Sequence, residues 1–149
     1  EGLMLAATLG GLAFSNASIC LVHGMSRPLG SNFKVPHGLS NAMLLPTITE
    51  FSIDHAKNRY ADCSRAGNFA LSDDKDDVAC EKLIKGLYKI NNDFDVPSMK
   101  AFGINEKNFE EKLENMATDA ETSGAPNLNP RVPTVNEMVD LYGKAWRAF

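Results

Sequence analysis

Residues 2–22 carry no charged side chain, a run of twenty-one positions. A run of that length meets the criterion for a membrane-spanning helix, and its other home is the interior of a helical domain. Gly2, Ala6 and Gly10, spaced four apart, would let two membrane helices approach closely. Against a span stand Thr8, Ser15, Asn16 and Ser18, the Ala- and Gly-rich make-up, and the lack of a flanking Lys or Arg cluster. A signal peptide would need a basic first region, and none precedes the run.

The rest of the chain is punctuated as a series of helices. The first runs over residues 2–25 and stops before Arg27-Pro28, because the residue ahead of a proline is pushed away from helical dihedrals. A loop leads to Pro36, which suits the first turn of a helix opening at His37; Pro46 is expected to kink that helix or end it early. A third helix fits residues 53–65, carrying Tyr60, Ala61 and Cys63 towards the core. Residues 73–77 form an acidic first turn ahead of Val78, Leu83, Ile84, Leu87 and Ile90, whose three- and four-residue steps make one apolar stripe. After a turn over residues 91–97 comes a short helical turn stopped by Gly103. Asn105 then caps a helix to about Asp119 with its acidic face in solvent. Residues 121–133 collect Ser, Gly, Asn and Pro as a loop, and Thr134 with Glu137 has the capping-box spacing for a last helix to about Arg147. No period-two strand, repeat or linker interrupts this order, so the fold class is an all-α helical bundle, one domain over residues 1–149.

That length and a 44% hydrophobic content suffice for a core without disulfides or a structural metal. A net charge of −4 with no basic stripe excludes nucleic acid as a partner. Cys20, Cys63 and Cys80 are odd in number, widely spaced and without a CxxC pair, which fits buried or half-buried thiols in a reducing cytoplasm. The chain opens on Glu1-Gly2, without an initiator methionine, directly into an apolar helix pattern, and is expected to be a fragment.

His23 and His37 lie fourteen positions apart, each followed by a glycine that lets backbone or ligand come close. Imidazole is the commonest side-chain metal ligand, and one loop can fold two such rings towards a common point. Two ligands alone do not make a tight site, since catalytic metal centres generally use three or more, and the alternative for each ring is a hydrogen bond in the core or at a helix end. His55, among Asp54, Lys57 and Asn58, reads as a surface residue.

The stretches Leu21-Val22-His23-Gly24-Met25-Ser26-Arg27-Pro28-Leu29-Gly30 and Pro36-His37-Gly38-Leu39-Ser40-Asn41-Ala42-Met43-Leu44-Leu45-Pro46 resemble the metal-binding region of iron-containing (group III) alcohol dehydrogenases. The likeness extends over about residues 3–146. It implies the all-helical C-terminal half of such an enzyme, an architecture shared with dehydroquinate synthase-like proteins, and a first segment buried on all sides. In that family an aspartate and a histidine on an earlier helix hold the metal with two histidines matching His23 and His37, and the earlier pair lies upstream of Glu1. Arg27 occupies a position where some members carry a histidine proposed to relay protons. A guanidinium stays protonated, so it holds negative charge without acting as a base; its alternative role is to anchor its loop to an acid. Phe14-Ser15-Asn16-Ala17 resembles the stretch that sets an aromatic ring beside nicotinamide and substrate, making Phe14 a pocket residue, with ordinary core packing as the alternative. Asn129-Pro130-Arg131 resembles the family's Asn-Pro-Arg, with Arg131 structural and the preceding loop near the substrate pocket.

The resemblance further implies metal-assisted hydride transfer between a small alcohol or aldehyde and NAD or NADP. Fe(II) or another divalent ion, zinc included, would act as Lewis acid on the alcohol oxygen. The nucleotide itself would be held by an N-terminal Rossmann-like half, whose GxGxxG does not occur in this chain. The expected function is thus the C-terminal catalytic-metal domain of an iron-type alcohol dehydrogenase, inactive as this segment, working in the cytoplasm. Two alternatives stand beside it: a noncatalytic helical module that self-associates through its uncharged first helix, and half of a related polyol dehydrogenase.

Overall fold

The uncharged run does not form one helix. In the computed structural model, which describes residues 1–148, it breaks at Ser18 (φ 70°, ψ −176°) into α1 (Gly2–Ala17) and α2 (Leu21–Phe33), bent by 112° to each other. No single helix among the described residues is long and apolar enough to cross a membrane. α2 then passes through Pro28 to Phe33 and ends where Lys34 turns left-handed at φ 57°, correcting the expected stop before Arg27. Energetics explain why. A proline inside a helix costs about 3 kcal/mol. Leu21, Met25 and Leu29, spaced four apart on one face, are each 0% exposed, and each such burial gains about 1.5–3 kcal/mol, so packing overrides the local penalty. Pro46 is likewise absorbed: α3 (His37–Ser52) runs past it among the buried Leu44, Thr47 and Ile48.

A 3₁₀ turn (Ile53–His55) leads from α3 into α4 (Lys57–Ala66), where one continuous helix was expected. Ala61 faces inward there and Tyr60 is half-buried, but Cys63 is exposed, contrary to its inward assignment. α5 (Asp76–Asp93) buries its stripe through the middle at Leu83, with Ile84 and Leu87 half-buried and the end residues Val78 and Ile90 exposed. Its Gly86 is a contact glycine: a Cβ there would fall 2.2 Å from a ring carbon of Phe69, so the missing side chain is what seats that ring. The turn after α5 closes with Ile104 N–H donating to the Met99 carbonyl and Gly103 at φ 102°. Asn105 caps α6 (Glu106–Thr122) by accepting from the Asn108 N–H at 3.1 Å. A second 3₁₀ turn (Ala125–Leu128) precedes α7 (Val135–Arg147), whose capping box joins Thr134 and Glu137 as the spacing required.

α2 lies at the centre, packed on α3, on α6 and on the 3₁₀ turn at Ala125–Leu128, while α7 closes the bundle against α3 and α6. Phe109 of α6 stacks on Trp146 at 4.5 Å between ring centroids, and the buried Tyr142 hydroxyl donates to the Met25 carbonyl at 2.6 Å, tying α7 to α2. α4 and α5 form an outlying pair with a smaller core of their own around Ala61, Ala79 and Cys80. α1 stands apart. None of its residues is buried, and Leu3, Met4, Leu5, Leu9, Leu12 and Phe14 are 55–77% exposed, which overturns the expectation of a helix surrounded on all sides.

Candidate metal and substrate site

His23 sits in the first turn of α2, not at the end of a long first helix, and His37 is the first residue of α3. The short connector after Phe33 carries the start of α3 back beside the start of α2, so the two rings meet with centroids 5.2 Å apart and planes tilted by 53°. Both therefore lie at helix N-termini. Burial holds His23 below the ordinary imidazole range, and the neighbouring His37 and Arg27 push in the same direction. A neutral ring is the form that offers a lone pair to an ion. Arg27, one turn beyond His23, is exposed, and no carboxylate pairs with it among the described residues; its reach is to His23 through charge and not to an acid through an ion pair.

The two glycines that follow the histidines do different work. At Gly24 a Cβ would meet Pro126 Cδ at 3.0 Å, so this glycine admits the Ala125–Leu128 turn against α2. Gly38 has nothing within 4 Å and opens onto a cleft. That cleft, about 500 Å³, runs between the end of α1 and the starts of α2 and α3. Phe14, Ile19, Val22, Ala42 and Leu45 make it apolar, and His23 and Asn41 bring polar atoms to its wall. An apolar cleft with few converging polar groups suits a small organic ligand. Phe14 thus shares a cavity with His23, and it lies more than half exposed on α1 and not in the core.

Two residues of this region escaped the sequence reading. Ser18, on the cleft, takes the positive-φ, extended-ψ conformation that is essentially confined to glycine. Asn41, one helical turn after His37, places its Nδ2 3.2 Å from His37 Nε2. Only the i,i+4 spacing of the pair signals that contact in advance. The Asn129-Pro130-Arg131 segment is fastened away from the histidines. Asn129 donates to Ser52 Oγ at 2.9 Å, while Arg131 lies 3.9 Å from the Phe51 ring centroid and pairs with Glu137 at 2.6 Å.

Two imidazoles about 5 Å apart fit the first two ligands of a divalent ion. They fall short of a complete set: no group of three or more His, Cys, Asp or Glu that could hold a metal occurs among the described residues. His55 stands apart on the exposed 3₁₀ turn.

The chain matches the C-terminal part of the Fe-containing alcohol dehydrogenase family over residues 1–146. It is 29% identical to the lactaldehyde reductase of Escherichia coli (strain K12) across 98% of its own length and 37% of that protein. Among solved structures, a 1,3-propanediol oxidoreductase superposes with a TM-score of 0.84 at 28% identity, covering 92% of this chain and 35% of that one. The iron-containing alcohol dehydrogenase of Thermococcus thioreducens superposes at 0.83 with 34% identity, covering 97% and 36%. The chain thus spans little more than a third of the length of these relatives, and it belongs to the Fe-containing alcohol dehydrogenase family, whose C-terminal helical domain it carries.

Proposed function

We propose that this chain supplies two metal ligands, His23 and His37, and one wall of the substrate pocket to an iron-type, NAD(P)-dependent alcohol dehydrogenase acting in the cytoplasm on a small alcohol or aldehyde. The observation that carries this reading is the pair of rings 5.2 Å apart beside an apolar cleft lined by Phe14. A divalent ion held by these rings would supply Lewis-acid polarisation of an alcohol oxygen, with a nicotinamide as hydride acceptor. Imidazole suits iron and zinc alike, so the ring pair does not choose between them. Phe14, Val22 and Leu45 would exclude water from the reacting carbon. Arg27 contributes charge: it favours neutral His23 and cannot accept a proton, so proton release runs through another group.

In this reading the remaining ligands and a nucleotide-binding fold would have to be supplied from outside the described residues, none of which completes a metal site, and the isolated chain is expected not to turn over. Assay of the purified chain with ferrous ion, NAD or NADP and short alcohols checks this, and turnover comparable to a full-length relative overturns it. The ligand assignment is checked separately by adding Co²⁺ in excess. The ring signals of His23 and His37 should broaden before that of His55, and equal broadening of all three removes the assignment.

A second reading rests on α1, a helix with exposed apolar residues and no buried one. A bare apolar surface of that kind favours self-association, making the chain a noncatalytic association module. Light scattering over a concentration series separates the two, since a monomer at every concentration eliminates the module.

A further inference from the structure

We propose that Asn41 selects the tautomer of His37, keeping its proton on Nδ1 and leaving Nε2 as the nitrogen with the bare lone pair. The geometry is one turn of α3: Asn41 Nδ2 lies 3.2 Å from His37 Nε2. An amide nitrogen only donates, so Nε2 accepts, and a neutral ring whose Nε2 accepts carries its hydrogen on Nδ1.

The opposite amide orientation would place Oδ1 on Nε2 and reverse the tautomer. What lies on the other side of the amide decides between them. Asn41 Oδ1 is buried and has no hydrogen-bond partner. Turning the amide over would put two N–H donors into that same buried place, and an orphaned N–H is rarer in folded proteins than an under-used carbonyl oxygen. The orientation with Nδ2 on the ring is the less costly of the two.

The assignment gives Asn41 a role towards His37 that rests on the reading of His37 as a metal ligand. A ligand histidine needs a lone pair, and with the proton on Nδ1 only Nε2 can supply it. Asn41 keeps Nε2 unprotonated while no ion is present and must swing off it when one binds. It is a positioning residue, acting on the ring and not on substrate. His37 is exposed, and a freely hydrated neutral histidine carries its proton mainly on Nε2, so the amide must reverse the preference that water alone would give.

Long-range ¹H–¹⁵N spectra of the chain with ¹⁵N-labelled histidine test this at a pH where the rings are neutral. For His37 the Nδ1 signal should fall in the protonated-nitrogen region and Nε2 in the bare-nitrogen region, opposite to the pattern of exposed His55. Asn41→Leu should move His37 to the His55 pattern. Asn41→Asp, whose carboxylate only accepts, should pin the proton on Nε2, and it serves should the leucine variant fail to fold. A wild-type His37 with Nε2–H, or a pattern unmoved by both substitutions, overturns the proposal. Co²⁺ that leaves both rings untouched while the nitrogen pattern holds removes the ligand reading and supports the tautomer assignment standing without it.

Discussion

α1 and α2 are neighbours, the first drawn wholly from the uncharged run and the second beginning at its end, yet they meet opposite fates. α1 has the larger share of leucine, methionine and phenylalanine and buries nothing; α2 contains two glycines, a proline, an arginine and an asparagine and forms the centre of the core. The difference lies in pattern and in partners. Leu21, Met25 and Leu29 form one stripe in the core of the bundle, where α2 packs on α3, on α6 and on the Ala125–Leu128 turn. In α1 the apolar residues Leu3, Leu5, Leu9, Leu12 and Phe14 surround the axis, a pattern made to be enclosed, and no element among the described residues encloses it. Hydrophobicity states what a helix can offer, and the neighbours decide what it buries.

The sharpest way to break the contrast is to shorten one leucine in each helix. Leu29→Ala should cost about 2–5 kcal/mol, because it opens a cavity under fully buried neighbours. Leu9→Ala, 55% exposed, should stay within about 0.5 kcal/mol in the same urea unfolding experiment. Equal losses would show that α1 is packed in solution.

A smaller effect separates the two glycines of the site. Gly24→Ala forces a methyl to within 3.0 Å of the Pro126 ring and should cost about 1–3 kcal/mol through overpacking. Gly38→Ala meets nothing within 4 Å, and alanine's helix preference should make it neutral or stabilising by about 0.5 kcal/mol. Thermal melts of the pair check this, and a destabilised Gly38→Ala would mean that the cleft is tighter than its open wall shows.

These glycines also mark how far the amino-acid order could be read. His23-Gly24 and His37-Gly38 look alike in sequence, and only the three-dimensional path brings Pro126, about a hundred positions away, against the first of them. Features set by adjacent residues were legible: the Thr134 capping box, the Asn105 cap, the Gly103 stop and the middle of the α5 stripe. Features set by distant packing were not. Pro28 reads as a helix stop because its local penalty is visible and the burial of Met25 and Leu29 is not. In the site, the two histidines announced themselves by residue type, while Asn41 is an ordinary polar residue until the helix sets it one turn above His37. Ser18 gave no sign of a break, since serine has no preference for the conformation it adopts there.

That junction offers the next test of the comparison. Ser18 holds the bend between α1 and α2 in a conformation costing a residue with a side chain about 1–3 kcal/mol. Glycine removes that strain but gives the unfolded chain more freedom, a cost of about 0.5–1 kcal/mol. Ser18→Gly should therefore stabilise the fold by about 1 kcal/mol in urea unfolding, with Ser18→Ala unchanged. A loss on going to glycine would show that the two helices are not held at this angle in solution.

The smallest expected effect concerns protonation of the site itself. Burial, with His37 and Arg27, lowers the His23 pKa from 6.5, so between the lowered folded value and 6.5 the unfolded chain binds more protons at this residue than the folded one. Stability should rise with pH through that window, and the contribution is lost as pH falls below 6.5 towards the folded value. Carboxylates do the same lower down: Asp74, held by Lys82, and Glu137, held by the Thr134 backbone and by Arg131, have depressed pKa values whose stabilisation disappears only as pH drops through the folded carboxylate range. Comparing the chain with His23→Gln isolates the histidine. The variant should lack the loss just below pH 6.5 and keep the acid transition, because glutamine has no proton to gain while the carboxylates are unchanged. Parallel curves through that window would show that the ring is as well solvated as it is in the unfolded chain, and the start of α2 would then belong with α1 on the open side of the comparison.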